Sequence, residues 1–170
     1  MGATYNASVA NLVDPLSNSP LNSPSHSNQH TEINDALQTL GVYTAYTPTW
    51  TNVTIGNATV DVSYWQANKF VYVRGRVVWG STTSVSGVIT MNLPVTAKAV
   101  TFPVIGQAHF DDAGVAAYYG AVMQASTTTV QFWAFNAAGT YVRETVTSAT
   151  VPMTWGTNDT LTFVFTYEAA

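Results

Sequence analysis

The chain has 170 residues and a formal net charge of −4, with only five Lys or Arg and nine Asp or Glu. Charged residues make up 8 % of the chain and hydrophobic residues 46 %. It is therefore not a disordered polyelectrolyte, and so few basic side chains exclude nucleic acid as an expected partner. There is no cysteine, which excludes disulfides and thiolate chemistry, and no apolar run of about 18 residues, so we expect no membrane partner.

Residues 1–24 are predicted to form an extended N-terminal arm. Pro15, Pro20 and Pro24 block regular secondary structure, and the Ser and Asn residues between them compete for backbone hydrogen bonds. We expect this arm to attach the protein to a partner through four apolar side chains, which are Leu12, Val13, Leu16 and Leu21. The alternative is an arm that folds back on its own domain.

Residues 25–41 are predicted to form one short helix, capped by Ser25 or Ser27 and ended by Gly41. Five side chains spaced by 4, 3, 4 and 3 residues form a narrow a/d seam, and these are His26, His30, Ile33, Leu37 and Leu40. So narrow a seam favours a helical neck that joins the copies of a homotrimer. The same periodicity also fits an amphipathic helix packed on its own β domain.

Residues 42–170 are predicted to form a β domain that begins with a hairpin. Side chains alternate between apolar and polar along Ala58–Gln66 and again along Phe70–Trp79, and Ala67-Asn68-Lys69 makes the turn between them. On the second strand Val73 and Val77 belong to the apolar row. We expect that row to be buried and the opposite row to face solvent.

Six further strands are predicted, near Val88–Leu93, Phe102–Phe110, Val115–Gln124, Thr129–Phe135, Tyr141–Val146 and Asp159–Glu168. Turns are predicted at Gly80–Ser86, Asp111–Gly114, Asn136–Gly139 and Gly156–Asp159. In the last strand Phe163 belongs to an apolar row with Leu161, Phe165 and Tyr167, whereas Thr162 lies on the other side. Short strands at this spacing predict a mainly β protein, an antiparallel β-sandwich with a jelly-roll-like head, preceded by the arm and the short helix.

The β domain contains two sets of side chains that merit a test as chemical sites. His109, Asp111 and Asp112 could bind a divalent cation, although Asp-Asp-x-Gly is also an ordinary turn sequence. Arg74 and Arg76 could contact a partner or a glycan carboxylate, or could simply be the solvated face of a strand. The acids form no preferred pair for glycoside hydrolysis, and no nucleophile or phosphate-loop motif is present. We expect no catalytic residue, no metal, no cofactor and no enzyme activity.

Several stretches resemble a domain of tailed-bacteriophage virion proteins, especially those of actinobacterial hosts. They are Tyr46–Val60, Arg74–Arg76 and Gly87–Val95 in the β domain, and Pro24–Leu37 before it. The resemblance is in patches between residues 15 and 95 and includes no catalytic motif. It implies a trimer with β-sandwich heads on short helical necks, acting as a capsid decoration protein, a tail-fibre tip or a baseplate receptor binder. The long fibre shaft of such proteins is absent from this sequence.

From this resemblance we expect a non-enzymatic structural protein on the exterior of a phage virion. Our first hypothesis is a trimeric capsid decoration or minor capsid protein, bound through residues 1–24 to the major capsid protein or another virion protein. The alternative is a tail-fibre or baseplate tip whose head binds a host-surface glycan. Aromatic side chains would then stack on sugar rings, and the candidates are Tyr118, Tyr119, Trp133 and Tyr141.

Overall fold

The computed structural model describes residues 42–99 and 103–170, together with the single position Asn34. Within the two ranges the chain forms strands and turns and no helix. The strands are β1 (Thr44–Ala45), β2 (Trp50–Thr54), β3 (Thr59–Ala67), β4 (Phe70–Val78), β5 (Ser84–Asn92), β6 (Val104–Asp112), β7 (Ala116–Gln124), β8 (Thr129–Asn136), β9 (Arg143–Val146) and β10 (Thr160–Glu168). The predicted arm and helical neck lie outside the described residues.

All ten strands belong to one antiparallel sheet in the order β1-β3-β4-β10-β6-β7-β8-β5-β2, with β9 paired beside β8. The two end strands of this order, β1 and β2, are consecutive in the chain. The link between them contacts both ends of the sheet, because the Tyr46 amide donates to Val62 (2.8 Å) and the Thr49 carbonyl accepts from Asn92 (3.1 Å). The sheet is therefore curled until its two ends lie on either side of one short segment.

The curl brings strands that are distant in the sheet face to face across the interior. The rings of Phe132 on β8 and Phe163 on β10 lie 5.0 Å apart, although β6 and β7 separate these strands in the sheet. Trp50 on β2 also stacks with Phe132, with ring centroids 6.2 Å apart. The predicted class is confirmed: the described protein is mainly β, antiparallel and sandwich-like.

β10 shows why the sheet has one buried side. It pairs with β4 along its whole length and with β6 from Thr160 to Phe165. Because successive side chains of a strand point to opposite sides, the apolar row runs inward and the threonine row outward. Phe163 is 3 % exposed and Val73 and Val77 are at most 1 % exposed, whereas Thr162 faces solvent. The predicted inner rows of β4 and β10 are confirmed.

One end of the interior is closed by a tryptophan pair. Trp79 stacks on Trp155 with ring centroids 4.5 Å apart, and Phe110 packs edge-on against Trp155. Asp159 ties the surrounding loops together, since its carboxylate accepts hydrogen bonds from the amides of Ala113 and Gly156. The carboxylate is buried but has amide donors, which satisfies the usual requirement for a buried charge.

The β3–β4 hairpin follows the prediction, with Ala67 opposite Phe70 and Asn68 in the left-handed region at φ 52°. β1 and β2 were not predicted. β1 has two residues, and β2 contains a bulge at Asn52, whose φ is 63°. A bulge interrupts the period-2 pattern, so no alternation marks β2 in the sequence.

Three predicted boundaries are wrong. β5 begins at Ser84, inside the predicted turn, and β9 begins at Arg143 rather than Tyr141. β6 extends through Asp112, so the turn that follows runs from Asp112 to Val115, closed by a 2.8 Å backbone hydrogen bond. In each case the neighbouring strand determines where the strand begins or ends. Local turn propensity contains no information about that neighbour.

Candidate functional site

The outward sides of β7 and β8 form a surface without a charged side chain. Because successive side chains of a strand point to opposite sides, four side chains of each strand lie on the outward side, Ala117, Tyr119, Ala121 and Met123 on β7 and Thr129, Gln131, Trp133 and Phe135 on β8. Of these only Ala121 is buried, at 2 % exposed. We call these eight side chains the outer face. Since a solvated sheet surface normally carries charged and polar groups, this composition marks the region as unusual.

The outer face continues onto neighbouring strands. Ala121 lies opposite Trp133, and Trp133 lies opposite Val146 of β9. On the other side, β6 separates β7 from Val164 of β10. Tyr119 is 69 % exposed, and Phe135, Val146 and Val164 are between 36 % and 41 % exposed. Aromatic or aliphatic side chains therefore reach solvent on β7, β8, β9 and β10. Between β7 and β10, however, β6 turns His109 and Asp111 outward, and Glu144 of β9 lies opposite Phe135.

Polar contacts on this surface are few. The Tyr119 ring packs edge-on against His109, with centroids 5.1 Å apart. The Trp133 indole N–H donates to the Gln131 side chain at 3.4 Å, which is a long hydrogen bond. These contacts orient two aromatic rings, of which Tyr119 remains exposed and Trp133 is half-buried.

A pocket of about 570 Å³ lies beside the same strands and shares Phe135 with the outer face; we call it the Tyr118 pocket. It lies where β7 begins, β8 ends and β9 begins. Its lining comprises Tyr118, Ala134, Phe135, Asn136, Ala137, Ala138, Thr145, Val151 and Pro152. None of these residues is charged, so the polar chemistry of the pocket comes from hydroxyl, amide and backbone groups alone.

The structure places the four predicted saccharide contacts on different surfaces. Tyr119 and Trp133 belong to the outer face, and Tyr118 lines the pocket on the other side of β7. Tyr141 precedes β9 and is 79 % exposed. The four side chains therefore do not form one site. The other predicted contact residues lie outside the described residues, namely Leu12, Val13, Leu16 and Leu21 of the arm and His26, His30, Ile33, Leu37 and Leu40 of the neck.

His109, Asp111 and Asp112 do not converge on a cation site. In the described part of the chain, no group of three or more His, Asp or Glu side chains could hold a metal ion. His109 and Asp111 are outward residues of β6, whereas the Asp112 carbonyl begins the turn before β7. The turn interpretation of Asp112 therefore agrees with the structure.

Arg74 is held in place by neighbours on the β3–β4 side of the sheet. Its Nε donates to the Ser63 hydroxyl at 3.2 Å, and its guanidinium lies 3.9 Å from the centre of the Tyr43 ring. Arg76 lies opposite Asp61 on β3. These contacts fit a solvated strand face in which both arginines have local neighbours.

Two tyrosines of the interior have perturbed acidity. Burial raises the pKa of the Tyr167 phenol, and the hydrogen bond with Val95 opposes that rise only in part. Burial also raises the pKa of Tyr46. Both hydroxyls donate to backbone carbonyls, Tyr167 to Val95 at 2.9 Å and Tyr46 to Asn92 at 3.2 Å. They cross-link loops and strands and line neither the outer face nor the Tyr118 pocket.

Several residues of both surfaces were not among the predicted contact residues. Phe135 shares an outward row with Trp133, so the alternation within the predicted strand was a sufficient signal for it. Thr145 reaches the Tyr118 pocket because β9 returns beside β8, and Val151 follows in the segment after β9. No local pattern in the sequence reports that return.

No family model matches the chain, and no curated protein and no solved structure matches it. Within residues 42–99 and 103–170, no helix is long and apolar enough to cross a membrane.

Proposed function

We propose that the protein is a non-enzymatic structural component of a phage virion surface, a homotrimeric capsid decoration protein. The observation that carries this proposal is the outer face, a charge-free surface with Tyr119, Trp133 and Phe135 on adjacent strands. Protein interfaces are depleted of charge at their centres and enriched in Tyr, Trp, Phe and Met. A surface of this composition supports assembly with another protein surface more than it supports chemistry.

The resemblance of Tyr46–Val60 and Pro24–Leu37 to phage virion proteins supplies the setting. In a trimer each head can use its outer face against a neighbouring head, and such head-to-tail contacts close into a ring of three. The neck would join the subunits. Residues 1–24 would bind the major capsid protein or another virion protein, because an extended arm can bury surface against several neighbouring coat-protein subunits.

The test is the copy number of this protein in purified particles, together with the mass of the full chain in solution. A decoration protein is present in hundreds of copies and has three times the mass of the monomer. A chain absent from the particles contradicts the virion assignment. A chain that is monomeric at micromolar concentration contradicts the trimer.

Deleting residues 1–24 tests the attachment. The described β domain begins after the arm and has its own buried core, so the melting temperature of the head should stay nearly unchanged. Incorporation into particles should be lost. If the truncated protein still incorporates, the neck or the head makes the attachment.

The second candidate function is a tail-fibre or baseplate tip that binds a host-surface saccharide. The Tyr118 pocket favours it, since small-molecule sites are concave, mostly apolar and lined by a few polar groups. A tip protein is present as a handful of trimers per particle, so the copy number separates the two candidates.

A further inference from the structure

The Tyr118 pocket combines a fixed floor with a turn on one side. Its floor includes Ala134, which is 2 % exposed and lies opposite Thr145 of β9 in the sheet ladder. Ala137 and Ala138 of the β8–β9 connection form another side. Side chains on paired strands are held by backbone hydrogen bonds, so the floor is in place before any ligand arrives.

Three side chains of the pocket have hydrogen-bonding capacity left over. The Asn136 carbonyl oxygen Oδ1 accepts from the Ala138 amide at 2.9 Å, which leaves the two N–H donors of its amide. The hydroxyls of Tyr118 and Thr145 have no hydrogen-bond partner among the described residues. The pocket therefore offers two hydroxyls and one amide group beside an aromatic ring.

The absence of charge in the lining selects the class of ligand. A phosphate or carboxylate ligand normally meets Arg, Lys or several convergent N–H donors, and no Arg or Lys lines this pocket. Hydroxyl-rich neutral ligands instead exchange hydrogen bonds with hydroxyl and amide groups and lay their C–H faces on aromatic rings. A volume of about 570 Å³ lies within the range of small-molecule sites, about 300–1,000 Å³.

We propose that the Tyr118 pocket binds a neutral saccharide of one or two rings. The Tyr118 ring and Val151 take the apolar face of the sugar, and the Thr145 hydroxyl and Asn136 amide bind its hydroxyls. We assign the site to the pocket rather than to the outer face because Tyr118, Asn136 and Thr145 place their polar groups around one concavity. The proposal rests on the saccharide-binding alternative for its biological role and on the pocket alone for the binding itself.

The experiment titrates the full-length protein with glucose, galactose, N-acetylglucosamine and lactose, followed by NMR chemical shifts of the backbone amides. We expect at least one sugar to bind with a dissociation constant of about millimolar, with the largest shifts at residues 134–138 and at Thr145. Thr145→Val keeps the side-chain shape and removes the hydroxyl. It should weaken binding about tenfold, the loss of one hydrogen bond.

Two matched pairs of variants locate the site. Tyr118→Phe should weaken binding, whereas Tyr119→Phe, the neighbouring residue on the other side of β7, should not. Ala138→Trp should fill the pocket and abolish binding, whereas Ala117→Trp, on the outward side of β7, should leave it intact. An NMR spectrum of each free variant shows that it is folded.

No shift with any of these sugars at about 50 mM, fifty times a millimolar dissociation constant, overturns the proposal. Binding that survives Ala138→Trp and is lost on substitution of Trp133 also overturns it, because the sugar would then lie on the outer face. That second result leaves saccharide binding as a function of the head. The copy number in particles is measured separately, so failure of the pocket and failure of the proposed function remain distinguishable.

Discussion

β8 and β10 have equally buried inner rows but opposite outer rows. Phe132 on β8 and Phe163 on β10 meet across the interior. On the outside β10 presents Thr162, Val164 and Thr166, whereas β8 presents Thr129, Gln131, Trp133 and Phe135. The two strands therefore contribute equally to the core, and only β8 exposes aromatic surface.

The two strands also differ in how their edges are paired. β10 lies between β4 and β6, each of which runs along most of its length. One edge of β8 is covered by β7, but the other is shared, with β5 pairing its first half and β9 its second. Buried, fully paired strands carry stability, whereas the surface beside the shared edge is where the outer face and the Tyr118 pocket lie.

Truncation of the two inner aromatics should have the largest effect. Phe163→Ala and Phe132→Ala should each lower the free energy of unfolding by about 3–5 kcal/mol, since both remove a buried ring and leave a cavity. Denaturant unfolding measures both. If one substitution costs less than about 1 kcal/mol, the inner rows of β8 and β10 are not equivalent and the comparison fails.

The connection between β5 and β8 at the shared edge of β8 can be disrupted by removing the Thr147 hydroxyl. Thr147 is fully buried, and its hydroxyl donates to the Phe132 carbonyl (2.8 Å) while accepting from the Ile89 amide (2.9 Å). Thr147→Val leaves the Ile89 N–H without that acceptor, which should cost about 1–3 kcal/mol. Hydrogen exchange at Ile89 should accelerate with it. Unchanged exchange would show that this hydroxyl does not join β5 to β8.

Alkaline pH should destabilise the protein through Tyr167, which ends the buried row of β10. Because burial raises the folded-state pKa of Tyr167 above its unfolded value, its stabilising contribution is complete below about pH 10. Above that pH the unfolded chain loses its proton first, so stability falls as the pH rises toward the folded-state pKa. Denaturant midpoints of wild type and Tyr167→Phe, compared at neutral and alkaline pH, measure this effect.

Tyr167→Phe should show a smaller alkaline loss than wild type. A loss of the same size in both proteins would assign the effect elsewhere, and Tyr46, whose pKa is also raised by burial, is the next residue to substitute.

The smallest stability effects belong to the outer rows. Thr162→Ala and Tyr119→Thr replace exposed side chains and should each change stability by less than about 1 kcal/mol. Their effect on association should differ, because only Tyr119→Thr removes apolar surface from the outer face. Native mass spectrometry of the two variants at equal concentration should show less oligomer for Tyr119→Thr and no change for Thr162→Ala. If the two variants contain the same amount of oligomer, the outer face does not contribute to the association of subunits.

Features of the fold that neighbouring residues encode could be predicted from the sequence, and features that depend on distant strands could not. Alternation is local, because neighbouring side chains of any strand point to opposite sides, and it located the inner rows of β4 and β10 correctly. The same rule already separates Tyr118 from Tyr119, which are consecutive residues of β7. β2 carries no such pattern, since Asn52 interrupts it with a bulge.

The β class, the β3–β4 hairpin and the buried row of β10 could be predicted without a structure, since short-range alternation and turn residues encode them. Three features could be seen only in the folded sheet: β9 returns beside β8, Thr145 and Val151 meet Tyr118 around one pocket, and the outward rows of β7 and β8 lie side by side. These arrangements depend on strand order. Strand order is chosen by the total burial that a complete sheet achieves, and no short segment of the chain contains that information.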